Sequence, residues 1–186
     1  MREGDVYETL RRLTKRLQDE GLEYAVIGGM AVVERGSRRT TEDINVVMRE
    51  ETLRDFRERF LGRGYLPAFE GASRAFRDTA TGVRIEIVTS GSYPGDGKPK
   101  PVAFPDPGSL PLEGEEFRVV PLEVLLDLKL ASGMTAPHRL RDLADVQDLI
   151  ARADLPIALA ERLDPSVREE YRRLWGTVRS ARGDGA

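Results

Sequence analysis

The chain has 186 residues and a formal net charge of −3, from 29 Lys and Arg against 32 Asp and Glu. That length fits one domain or a domain with a small appendage, and that balance excludes a general nucleic-acid coating protein while leaving room for a local basic patch. There is no cysteine and one histidine, His138, which rules out disulfides, thiolate zinc sites, a cysteine nucleophile and any multi-histidine metal centre. No apolar run approaches the roughly 18 residues that span a bilayer. The opening "MREGDVYETL" lacks the apolar core of a signal peptide. The expectation is a soluble, cytoplasmic protein with no membrane partner.

In chain order, Leu10, Leu13 and Leu17 recur at helical spacing and predict a first helix over Tyr7 to Glu20, ended by Gly21. Arg11, Arg12, Lys15 and Arg16 between them read as a solvated basic face. "LEYAVIGG" predicts a short buried strand ending at a glycine pair, where a second helix begins and runs through Val33. "INVVM", entered from Asp43, is a second strand, and "ETLRDFRERFLGRG" an amphipathic helix closed by glycines. "SRAFRDT" and "VRIEIVT" predict a hairpin turning around Gly82. From Gly91 to Glu116 the chain is rich in Gly and Pro. A connection of that length inside a compact domain is a functional loop or a flexible one.

After "FRVVPL" two helices follow, "LEVLLDLKLAS" and "PHRLRDLADVQDLIARA". A last helix, from Ser166 to about Ala181, is anchored to the core by Tyr171 and Trp175. The predicted fold is α/β (α+β): a mixed sheet flanked by helices over 1–120, and a helical C-terminal segment over 121–186 packed on it as a single compact unit.

The chemistry concentrates in "GGMAVVERGSRRTTEDINVVM", Gly28 to Met48. Residues two apart on a strand share a face, so Asp43 and Asn45 point together. Glu86 in "RIEIV" can join them from a neighbouring strand, because Val83, Ile85 and Ile87 alternate to the other side. Acidic groups converging in this way make an oxygen cage for Mg²⁺ or Mn²⁺, which can clamp an in-line phosphoryl displacement. The glycine pair gives phosphate oxygens close access to backbone N–H groups. Arg38 and Arg39 can add charge-assisted hydrogen bonds to a triphosphate. Lys129 continues the stripe of Leu122, Leu125 and Leu126, where a lysine either snorkels outward or points into a cleft. Arg141 and Asp145 are spaced for a plain helix salt bridge, and His138 reads as structural or solvent-facing.

Gly28-Gly29 followed by "RGSRRTTEDINVV" resembles the signature of the polymerase-beta-like nucleotidyltransferase superfamily, more narrowly its minimal nucleotidyltransferases and abortive-infection-type toxin enzymes. The resemblance spans roughly Glu23 to Ile150. It implies a nucleotidyltransferase fold, a nucleoside triphosphate substrate and a divalent metal. It implies phosphate and metal positions at Gly28, Gly29, Asp43 and Glu86, and nucleotide-facing positions at Lys129, Arg141 and Asp142. Asn45 stands where the family carries a second aspartate, and Glu86 where an aspartate is common.

The activity so implied is metal-dependent transfer of a nucleotidyl group onto a hydroxyl of RNA, protein or a small molecule. Asp43, Glu86 and Lys129 would be catalytic, and Asp43, Asn45 and Glu86 would hold the metal. Toxin-type relatives imply a tRNA or protein acceptor and a cognate antitoxin-like partner. Two other readings stay open: a degenerate nucleotide- or partner-binding module in which Asn45 marks a lost metal, and an interaction protein that uses the Pro/Gly loop as its contact.

Overall fold

Leu10, Leu13 and Leu17 are completely buried on one face of α1 (Glu3–Asp19) in the computed structural model, which describes residues 3–38, 40–114, 116–181 and 183. The helix closes at Gly21, whose left-handed backbone lets Leu22 N–H reach the Leu17 carbonyl at 2.8 Å. Half of the expected solvated basic face is structural. Arg12 donates two bonds, 3.2 and 3.0 Å, to Asp78, which is only 3% exposed. Arg16 donates to the Arg63 carbonyl at 2.6 Å and lies over the ring of Tyr65. Lys15 and Arg11 pair with Asp19 and Glu116 at the surface.

The sheet follows from alternation and length. Its strands are β1 (Ala25–Ile27), β2 (Asp43–Met48), β3 (Tyr65–Pro67), β4 (Ala75–Asp78) and β5 (Arg84–Thr89), in the order β1-β2-β5-β4-β3. β2 and β5 run parallel; every other neighbouring pair is antiparallel. The sheet is therefore mixed, and β4–β5 is the expected hairpin. The short β3, absent from the sequence reading, is three residues long and ends in Pro67, so it carries no periodicity to detect.

Ile44, Val46, Ile85, Ile87 and Phe76 fill one face of the sheet without exposure. α3 (Glu50–Phe60) packs there, its Phe56 ring 5.1 Å from Phe76 and 5.5 Å from Tyr65. The opposite face carries Asp43, Asn45, Arg84 and Glu86. α2 (Gly28–Val33) leaves the end of β1, and residues 118–120 run beside β1, with Val26 N–H bonded to Arg118 O at 2.7 Å.

The C-terminal helices are α4 (Leu122–Thr135), α5 (Leu140–Arg152) and α6 (Arg168–Ala181), and their apolar residues belong to the same continuous core as the sheet. A 3₁₀ turn at Pro137–Arg139 leads into α5, and another at Ile157–Arg162 precedes α6. Tyr171 donates to Pro156 O at 3.1 Å and Trp175 to Leu155 O at 2.9 Å, the anchoring expected of the last helix. Among the described residues no helix is long and apolar enough to cross a membrane.

Asp127 of α4 accepts the Asp164 N–H at 2.9 Å, and burial pushes its carboxyl up to about 6 against that bond. Its folded value lies above the ordinary 3.8, so protonation favours the folded state. That contribution is complete below the ordinary value and is lost as pH rises through the folded one. Asp127→Asn keeps an oxygen to accept the same N–H and removes the charge. Urea unfolding from about pH 4 to about pH 7 should show the wild type losing stability relative to the variant. Parallel curves would show that Asp127 does not titrate in that window.

Candidate active site

The parallel register pairs Asp43 with Arg84 and Asn45 with Glu86, while the antiparallel register on the other side pairs Asn45 with Ile27. Since Gly28 follows Ile27, a line across the sheet passes from Gly28 over Asn45 to Glu86 and on to Ala75 of β4. Gly28 has φ +66, a conformation that side chains resist, and a Cβ there would stand 3.0 Å from that of Asn45. Two separate constraints thus select glycine.

Asp43 and Asn45 are half-buried. The Asn45 amide donates to Asp43 Oδ2 at 3.1 Å, and Thr41 donates to Oδ1 at 3.2 Å. Arg84 Nη2 lies 3.8 Å from Glu86 Oε2, so the second acid already has a cation beside it. Among the described residues no group of three His, Cys, Asp or Glu side chains is placed to hold a metal ion. The donor set is two carboxylates and one amide, and the amide oxygen is the group that would complete it.

These residues floor a cleft of about 910 Å³. Gly28, Gly29, Asp43, Asn45, Glu86, Lys129, Arg141 and Asp142 all line it. Arg38 is exposed and is not among the lining residues, and Arg39 lies outside the described residues. Arg35 is turned the other way, toward Glu113 and the Val120 carbonyl.

Lys129 is buried, but its ammonium is bound on two sides: Asp142 Oδ1 at 2.6 Å and Asp145 Oδ2 at 2.7 Å. Ser132 donates to the other oxygen of Asp142 at 2.6 Å. Asp145 is therefore the partner of Lys129, while Arg141 donates to the Thr40 carbonyl at 3.1 Å. This buried cluster forms the cleft wall and joins α4 to α5.

Nothing in the sequence alone places Arg74, Arg139 or the Pro/Gly loop at the site. Arg74 and Arg139 line the cleft, as does His138, alongside Ser92, Tyr93, Pro94, Gly95, Gly97 and Phe104. The loop is ordered by specific contacts. Gly91 N–H bonds to Phe104 O, and Phe104 N–H to Ser92 O, each at 2.8 Å. Lys100 donates to Pro94 O at 2.6 Å and to Thr135 Oγ1 at 3.0 Å. Gly95 lies so near α4 that a Cβ would come within 2.9 Å of the Ser132 carbonyl oxygen. Further along, Asp106 takes two bonds from Arg49, 2.9 and 2.7 Å. Only the glycine at a tight approach was a usable signal, and nothing local said what it approaches.

No family model matches the chain, and no curated protein matches it. Solved structures match in fold. A candidate nucleotidyltransferase of Thermotoga maritima is 19% identical over 74% of this chain and 89% of its own, with a TM-score of 0.50. An antigenic nucleotidyltransferase-like protein of Paracoccidioides brasiliensis is 13% identical over 95% and 88%, TM-score 0.50. ANT(2")-Ia, in complex with adenylyl-2"-tobramycin, is 12% identical over 95% and 97%, TM-score 0.50. The chain has the polymerase-beta-like nucleotidyltransferase fold.

Lys129→Met tests the buried cluster. Removing the ammonium shared by two buried carboxylates should cost about 3–5 kcal/mol in chemical denaturation. A loss under about 1 kcal/mol would show that water screens the cluster.

Proposed function

We propose that the chain is a nucleotidyltransferase that moves a nucleotidyl group from a nucleoside triphosphate onto a hydroxyl. The observation that carries this reading is the line from Gly28 over Asn45 to Glu86 inside one cleft, with Asp43 on the same face. Gly28 and Gly29 have no side chains to hold a phosphate away from the backbone. Arg139 and Arg141 line the same cleft from the start of α5 and supply positive charge for the triphosphate. Lys129 holds Asp142 and Asp145 in place, and so sets the position of α5 and its arginines.

Asp43 and Glu86 suit one divalent cation such as Mg²⁺ or Mn²⁺, with the Asn45 amide oxygen as a neutral third donor. A bound cation would neutralise charge on the transferring phosphate. Glu86 would also take the proton of the incoming hydroxyl.

A second reading has an observation of its own. The Asn45 amide already occupies an Asp43 oxygen, which suits a protein that binds nucleotide without turnover. Titration with ATP, CTP, GTP and UTP, with and without Mg²⁺ or Mn²⁺, separates the two when melting temperature and pyrophosphate release are followed together. The transferase reading expects metal-dependent release that Asp43→Ala abolishes. It also expects Asn45→Asp to lower the metal concentration needed by roughly tenfold, through one added anionic ligand. Binding without release, with release gained only in Asn45→Asp, would carry the second reading instead. No binding of any nucleotide would overturn both.

A further inference from the structure

The transfer needs its attacking oxygen opposite the leaving pyrophosphate, roughly in line through the α-phosphorus. With the phosphates over Gly28, the attacking hydroxyl must come from beyond Glu86. The sheet order puts β5 and β4 there, and two further pieces of structure border that region. Arg74, at the entry to β4, receives the Ile87 N–H on its carbonyl at 2.8 Å and lines the cleft. The loop that leaves β5 contributes Tyr93, Pro94 and Phe104.

We infer that this part of the cleft is the acceptor subsite, and that it takes a small hydroxyl compound, neutral or anionic. The inference rests on the transferase reading above.

Size comes first. The whole cleft, about 910 Å³, lies in the range of small-molecule sites and must hold the triphosphate as well, and the loop that lines it rests on α4 at Gly95. Sign comes next. Of the carboxylates among the described lining residues, Asp43 and Glu86 are committed to the metal and the chemistry and Asp142 to Lys129 and Ser132, while Arg74 is paired with the exposed Glu50 at 3.1 Å. A polyamine or amino sugar needs several acids to receive it, and every acid lining the cleft already has another task. Val88, Pro94, Phe104 and the ring of Tyr93 give the lining its apolar groups there. The Ser92 and Ser132 hydroxyls donate to the Thr89 carbonyl and to Asp142. The Tyr93 hydroxyl takes no hydrogen bond among the described residues, and it is the group available to read a polar atom on the acceptor.

In the step, the acceptor oxygen bonds to the α-phosphorus while the bond to the pyrophosphate oxygen breaks. The hydroxyl proton passes to Glu86, and pyrophosphate leaves over Gly28.

Pyrophosphate release by the full chain with Mg²⁺ and its preferred triphosphate can be measured with uridine, glycerol 3-phosphate and glucosamine as acceptor probes. Triphosphate binding is read separately, from the melting shift. Uridine or glycerol 3-phosphate should raise release above the rate with water, and glucosamine should not. Tyr93→Ala should raise the acceptor KM at least about tenfold, with triphosphate binding within about twofold of wild type. Arg74→Glu should reverse the preference between glycerol 3-phosphate and glucosamine. Stimulation by glucosamine alone, or by none of the probes, overturns the subsite. So does a Tyr93→Ala variant whose triphosphate binding falls as far as its acceptor use, because the slot would then belong to the nucleotide. A wild type that binds no triphosphate overturns the transferase reading, and this subsite with it.

Discussion

The parallel register between β2 and β5 is the constraint on which the rest of the molecule depends. It sets Asn45 beside Glu86 and Asp43 beside Arg84, and it sends Ile44, Val46, Ile85 and Ile87 to the opposite, fully buried face. A slip of one residue would turn Asp43 and Asn45 into the core and expose isoleucines. Burying those polar groups without partners is costly enough that the hydrophobic face enforces the polar one. Parallel strands also need a long crossover. Here the segment between β2 and β5 holds α3, which covers the apolar face, and β3 and β4, which extend the sheet.

The second tie is the ion cluster of Lys129, Asp142 and Asp145. Buried charges of this kind contribute modest net stability, because desolvation offsets most of the attraction. Their geometric consequence is larger. They fix where the start of α5 meets α4, and with it the place of Arg139 and Arg141 in the cleft. Arg12 with Asp78 does similar work behind the sheet, joining α1 to the end of β4. Arg12, which looks like surface charge in the sequence, and Lys129, which reads there as a snorkelling or cleft lysine, are both bolts between elements.

The Pro/Gly loop is the part of the chain whose role changes most on folding. Its composition matches a flexible linker, yet its start pairs with Phe104, Lys100 ties it to α4, and Gly95 is pressed against a helix carbonyl. Prolines lower the entropy lost when such a segment is ordered, so a few contacts suffice to make it a wall.

Much of the fold was legible in the sequence because it rests on local periodicity. The leucines of α1, the alternation of Val83, Ile85 and Ile87, and the glycine pair after an apolar run each encode an element without reference to distant residues. The same alternation placed Asp43, Asn45 and Glu86 on faces that could meet. Strand order, the commitment of Lys129 to Asp142 and Asp145, the turning of Arg35 away from the cleft, and the arrival of Arg74 and Tyr93 in the cleft that holds Glu86 were decided only by tertiary structure. Each depends on which partner lies across a gap in sequence. A charge or a glycine has the same local signature whether it meets solvent, an ion pair or a helix carbonyl.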